Sequence, residues 1–273
     1  MTPNAVFTDL LTLIKYALFT ALFTSATNAI AETFVIVFVG DTDSAGYRGA
    51  KQGFKEANAQ GRFLGHTFDL IHAVAPRDLP EQDVVAIVAD QTPLRLLQIT
   101  ERAAGTAVLN VSAEDDELRE ECRENLLHTI PSRAMRDDAI QQWLRKVPGS
   151  PASAQAWHKD FKKYAAAQLN KRYTESFSEP MNDVAWAAWA AVKMVSDLAV
   201  RGDASEPSAM LDSLKENLEF DGQKGAAMSF RPTGQLRQPM LLVNDGKLVG
   251  EAPVRGVVAI TNLDSLGMAE CPK

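Results

Sequence analysis

Among its 273 residues the chain has two cysteines, four histidines and no excess of base over acid. Its formal charge is -7, and no basic tract interrupts the acidic balance. That argues against nucleic acid and against anionic membrane surfaces as partners. Beyond residue 31 no apolar run is long enough to span a bilayer. Internal repeats and low-complexity tracts are missing too. So are the catalytic signatures: there is no Gly-x-Ser-x-Gly, no His-Glu-x-x-His, no P-loop and no Gly-x-Gly-x-x-Gly. His66, His72, His128 and His158 show no metal-ligand spacing. The chain therefore reads as a non-enzyme with no cofactor, no metal and no catalytic residue.

What is present is ordinary globular composition, 46% hydrophobic and 23% charged. Residues 1–31 read as a secretory signal. Lys15 precedes a short apolar core, residues 16–23, and Ala29-Ile30-Ala31 is a small-x-small cleavage site. Export gives the cysteines a meaning, because an even pair in an oxidising compartment is usually bridged. A Cys122–Cys271 disulfide would tie the C-terminal tail to the body.

Residues 33–39 form a continuous β-branched and aromatic run, which suits a strand covered on both faces. A helix over 45–59 follows, with Gly49 and Gly53 on one face permitting close packing on the sheet. Further strands are expected at 67–74, 84–89, 107–111 and 126–129, with a helix at 93–104 whose Leu94 and Leu97 point inward. This β-α-β order predicts an α/β fold with a doubly wound, mainly parallel sheet. Small molecules bind such sheets outside the carboxyl ends of the strands. By that position alone, Asp41, Asp43, Ser44, Asp90, Thr92 and Ser112 are the candidate ligand residues. Their acids favour a cationic or hydroxyl-rich ligand or a metal ion. Asp41-Thr42-Asp43 overlaps the start of an EF-hand loop, but Ala45 and Gln52 stand where later carboxylates are needed, so a solvated turn is the better reading.

Ser132 is a good cap for a helix over 133–147, which carries Met135, Ala139, Ile140 and Trp143 on an apolar face. A Pro/Ser/Ala linker occupies 148–154 with no strand-like run before Trp157, and a helix is expected over 157–173. Helices at 183–200 and 207–217 follow, the first with Trp186 and Trp189 read as core. Residues 240–249 read as a hairpin around Asn244-Asp245-Gly246.

The stretch Cys122-Arg-Glu-Asn-Leu-Leu-His-Thr-Ile-Pro-Ser-Arg-Ala-Met135 resembles the substrate-binding proteins of ABC transporters linked to PQQ-dependent alcohol dehydrogenase systems. These belong to the type I periplasmic binding proteins, in the branched-chain amino-acid binder group. Gly61-Arg-Phe-Leu-Gly-His-Thr-Phe-Asp-Leu70 and Phe230-Arg-Pro-Thr-Gly-Gln-Leu-Arg-Gln-Pro-Met-Leu-Leu-Val243 are similar to two further family segments. The resemblance implies a periplasmic solute-binding component, partnered by an ABC permease or a periplasmic PQQ dehydrogenase system. It also implies a second α/β lobe after Val147, and the strands for one are missing. The expected domain order is therefore a signal peptide (1–31), an N-terminal α/β lobe (32–147), and helices with a β tail completing that same lobe (148–273). Two consequences are expected. The protein could be a single-lobed accessory protein that docks on a partner and no longer captures solute. The apolar face of the 133–147 helix, left without its lobe, would pair with C-terminal helices, a partner or a second copy.

Export predicts a mature chain that begins at Glu32. Intact-mass measurement of periplasmic protein tests this, and a cytoplasmic form retaining Met1 refutes it.

Overall fold

A computed structural model describes residues 32–202, 204 and 206–272. The expected signal segment, 1–31, lies outside the described residues. Five parallel strands, β1 (Glu32–Val39), β2 (His66–Ala73), β3 (Ala86–Ala89), β4 (Ala107–Asn110) and β5 (Leu126–His128), form one sheet in the order β2-β1-β3-β4-β5. The sheet is thus built from β1 outward to β2, then back across β1 to add β3, β4 and β5 in turn.

Alternation along β1 assigns the two faces. Phe34, Ile36 and Phe38 join the larger core, and Val37 and Val39 join the smaller one. The larger core holds helices α1 (Ala45–Gly61), α5 (Ala166–Phe177), α6 (Asp183–Arg201) and α7 (Pro207–Glu216). The smaller one is closed by α2 (Pro93–Arg102) and the short α3 (Glu117–Glu120). Trp186 and Trp189 of α6 are core residues as expected.

Gly49 and Gly53 serve a different contact from the expected one. A Cβ on Gly49 would lie 2.0 Å from the Ala185 carbonyl oxygen, and one on Gly53 would lie 2.9 Å from Val192 Cβ. The glycines seat α1 against α6, and it is this helix pair that covers the sheet. Within α2, Leu94 is exposed, and Leu96 and Ile99 point inward instead.

A second, three-stranded antiparallel sheet follows the order β6-β7-β8, with β6 (Ser153–Gln155), β7 (Met240–Asn244) and β8 (Lys247–Ala252). The expected linker therefore contains a strand, made by pairing Ala154 with Leu242 rather than by any apolar run of its own. Likewise, residues 157–165 are turns and irregular chain, and α5 begins only at Ala166. Helix α4 (Arg133–Lys146) lays its apolar face on this small sheet: Met135 and Ala139 pack with Ala154, Met240, Leu242 and Ala252, and Ile140 and Trp143 flank them. The face expected to pair with C-terminal helices, a partner or a second copy is thus covered within the chain, by the small sheet.

Cys122 and Cys271 are bonded, 149 residues apart. Closing so long a loop restricts the unfolded chain by about 5 kcal/mol in the chain-entropy estimate. The Cys122→Ala/Cys271→Ala variant should therefore unfold at lower urea with a loss of about 2–5 kcal/mol. An unchanged midpoint in equilibrium urea unfolding would contradict this.

Candidate functional site

Strands β1, β3 and β4 end along one edge, and the order reverses between β1 and β3. Loops leaving neighbouring strands in opposite directions open a crevice at such a switch point. Here it is a cleft of about 870 Å³, bordered by the 40–42 turn after β1, the 90–93 turn after β3 and the 112–115 turn after β4. Of the six residues expected along this edge, Asp41, Asp90, Thr92 and Ser112 line the cleft. Asp43 and Ser44 do not. The Ser44 hydroxyl accepts from the Tyr47 N–H at 3.0 Å and caps α1. The Asp43 N–H donates to Asp41 Oδ1 at 2.8 Å, and its carbonyl accepts from Arg48 at 2.6 Å. That is the solvated turn expected for Asp41-Thr42-Asp43.

Local packing sets each wall. A Cβ on Gly46 would meet Asp90 Oδ2 at 2.5 Å, so the missing side chain lets the Asp90 carboxylate lie against the first turn of α1. The amide end of a helix favours an anion there. No ion-pair partner for Asp90 or Arg95 exists among the described residues. Arg95 donates only to Gln91 Oε1, at 3.2 Å. On the far wall, Asn110 shapes the turn: its Oδ1 accepts from the N–H of Ser112 (3.2 Å) and Ala113 (2.9 Å), and its Nδ2 donates to the Ala113 carbonyl (2.7 Å). His72 Nε2 donates to the Gly40 carbonyl at 2.8 Å, holding β2 to the end of β1.

Position along the strands did not point to Arg95, Glu114, Asp115 or Arg133, which also line the cleft. Arg133 and Asp115 pair at 2.7 Å. Glu114 pairs with Arg136 at 2.7 Å, and Arg136 reaches Asp183 at 2.8 Å and the Ala154 carbonyl at 2.6 Å. Glu114 also borders a second cleft of about 600 Å³, formed with Trp157, His158 and Met181, so the Arg136 cluster joins α4, β6 and the start of α6 beside it. With those pairs made, the groups of the first cleft left to meet a ligand include Asp41, Asp90 and Arg95, with the hydroxyls of Thr42, Thr92 and Ser112.

His128 is fully buried beside Asn110 Nδ2, at 3.0 Å, and burial, then Arg119, pushes its pKa well below the usual value. Among the described residues, no group of three or more His, Cys, Asp or Glu is placed to hold a metal ion. No helix among them is long and apolar enough to cross a membrane.

No protein-family model matches the chain, and no curated protein sequence does. Solved structures do. A branched-chain amino acid ABC transporter periplasmic ligand-binding protein from Burkholderia xenovorans superposes with a TM-score of 0.67 at 12% identity, over 80% of this chain and 95% of that one. A branched-chain amino acid transporter substrate binding protein from Streptococcus pneumoniae, in complex with isoleucine, gives 0.65 at 14%, over 80% and 98%. A periplasmic binding protein from Burkholderia mallei gives 0.66 at 11%, over 83% and 96%. At such identities the likeness is one of fold. The chain has the α/β type I periplasmic-binding-protein fold, with one full parallel sheet and a second layer of three short strands.

Gly46→Ala should force Asp90 off the first turn of α1. The expected cost is about 1–3 kcal/mol, as for an inserted methyl in a filled space. Urea unfolding reads it, and a variant as stable as the parent would show that Asp90 has room to move freely.

Proposed function

We propose that the protein is the periplasmic solute-binding component of an ABC transporter, working alongside PQQ-dependent alcohol oxidation. The observation that carries the reading is the switch-point cleft, whose unpaired Asp41, Asp90 and Arg95 belong to a fold shared with solved solute-binding proteins. The solute is cationic or hydroxyl-rich. An ammonium group would meet Asp90 and Asp41, and hydroxyls would meet Thr92 and Ser112. Residues 1–31 direct export, 32–147 form the α/β lobe and 148–273 complete it. The Cys122–Cys271 bridge suits an oxidising compartment.

A second reading has its own support. Asp41, Thr42, Thr92 and Arg95 are exposed, and the only other sheet among the described residues has three short strands. Solute capture by two closing lobes needs more than that. In this reading the same edge docks on a permease or a periplasmic dehydrogenase as an accessory protein.

Thermal unfolding with a panel of amino acids, polyamines and sugar alcohols separates the two. A ligand at a hundredfold its Kd adds about 2.7 kcal/mol, and Asp90→Asn should weaken its binding about tenfold or more by removing a charge-assisted bond. If no member of the panel moves the midpoint, solute capture fails and the docking reading stands.

A further inference from the structure

We propose that the protein has a second small-molecule site, for a monocarboxylate with an apolar body, in the pocket between the last turn of α4 and strand β8. The pocket holds about 360 Å³ and is the most enclosed of the clefts described here. That volume suits a small ligand and is too little for a folded partner. It shares no lining residue with the switch-point cleft, so the proposal does not depend on the function argued above.

Charge points to an anion. Lys146, Lys163, Lys224 and Arg255 line the pocket against one acid, Glu251, in a chain whose net charge is -7. Glu251 is taken by Lys163, to which it hydrogen-bonds. Lys146, Lys224 and Arg255 have no carboxylate partner among the described residues. Lys224 is the unusual one. It is 2% exposed, its Nζ sits 3.7 Å from the centroid of the Trp186 ring, and it donates to Gln238 Oε1 at 2.7 Å and the Pro239 carbonyl at 3.1 Å. Its ammonium touches a ring face and neutral oxygens, with the Asp183 charge acting on it from further off, and burial lowers its pKa well below the usual value. A carboxylate in the adjoining pocket would bring a negative charge beside Lys224, Lys146 and Arg255.

The rim points to an apolar body. Tyr164, Val249 and Ile260 are 53%, 39% and 49% exposed, and all three border this pocket together with Trp143, Tyr164 also facing a neighbouring cleft beside Trp189. Exposed large apolar side chains gathered around a concavity mark a binding surface better than single ones do. The backbone also holds the ring in place at a cost. Tyr164 and Ala165 both have left-handed φ, 50° and 70°, a conformation that disfavours side chains with a Cβ and collects at ligand sites. Gly225 lies so close beneath that a Cβ there would be 2.4 Å from Tyr164 Cζ. Phosphate or another small inorganic anion would use the bases and leave this apolar wall unused. A monocarboxylate with an aliphatic or aromatic body uses both.

Calorimetric titration of the full mature chain with hexanoate tests the proposal, with hexanamide and formate as matched probes. Hexanoate should bind saturably with a Kd in the millimolar range or below, about -4 kcal/mol or stronger. Hexanamide, lacking the charge, and formate, lacking the body, should each bind at least about tenfold more weakly. Lys146→Gln/Arg255→Gln, which alters two exposed side chains, should weaken hexanoate about tenfold, and Lys55→Gln/Arg62→Gln, which removes as much charge elsewhere, should leave it unchanged. Absence of saturable heat with hexanoate, equal binding of hexanamide, or full binding by the Lys146/Arg255 variant would each overturn the site. None of these variants touches the switch-point cleft, so failure here is distinct from failure of the transport reading.

Discussion

The guanidinium of Arg119 is buried in the joint on which the cleft wall, β5 and the C-terminal segment all depend. It is 1% exposed and has no carboxylate in hydrogen-bond contact. It donates to Gln235 Oε1 (2.9 Å) and to the carbonyls of Ala113 (2.8 Å), Asp115 (2.9 Å) and Ile130 (3.0 Å). Burial lowers its pKa to about 9, against which the nearby charges of Asp116, Asp115 and Glu114 act. Taking an ion out of water costs several kcal/mol unless its donors are satisfied, and here four acceptors from three separate segments satisfy them. Gln235 then donates to the carbonyls of His128 and Ile130, both at 3.1 Å. The segment around it lies against β5, with Leu236 N–H on the His128 carbonyl and His128 N–H on the Gly234 carbonyl. The carbonyls of Ala113 and Asp115 belong to the turn that makes the far wall of the cleft, so the geometry of that wall is fixed from beneath by one side chain.

The C-terminal tail is fastened at the same place. Cys122 follows Arg119 by three residues and holds Cys271. Arg231, its side chain fully buried, pairs with Asp264 at 2.9 Å and donates to the Leu263 carbonyl. Asp264 also accepts from Arg237 at 2.8 Å. Buried Arg231, part-buried Arg237 and a disulfide thus bind residues 263–271 to segments far from them in sequence. The small second sheet works in the same spirit. It covers the apolar face of α4, and among the described residues no sheet of comparable size opposes the first one.

The main sheet was legible because buried parallel strands are written as continuous apolar runs, as at 33–39 and 84–89. The ends of those runs gave the cleft edge, and with it Asp41, Asp90, Thr92 and Ser112. What was missed has one physical cause: the deciding partner is remote in sequence. β6 is three residues of small and polar character, and it is a strand only because β7 lies beside it. Gly49 and Gly53 share a face, but nothing local says that Ala185 and Val192 are what approaches them. Arg119 stands in Glu117-Leu118-Arg119-Glu120-Glu121, where every local cue reads as a solvated helix. Arg95 and the Arg133–Asp115 pair reach the cleft through tertiary packing, so strand ends could not announce them.

The openness of the cleft bears on how its charges can act. Asp41 and Arg95 are exposed, and an exposed ion pair contributes only about 0–1 kcal/mol. A solute held by such pairs alone would stay weakly bound, however well its charges match. The same contacts strengthen when water is excluded, because the effective dielectric falls. In a two-lobed protein the second lobe performs that exclusion; here the second sheet is occupied with α4. Tight capture on this edge therefore needs water excluded from it, and under the proposed reading a permease or accessory partner seated there would exclude it. The two functional readings then differ less in which surface is used than in order. In one, the solute arrives first and the partner closes over it; in the other, the partner alone occupies the edge.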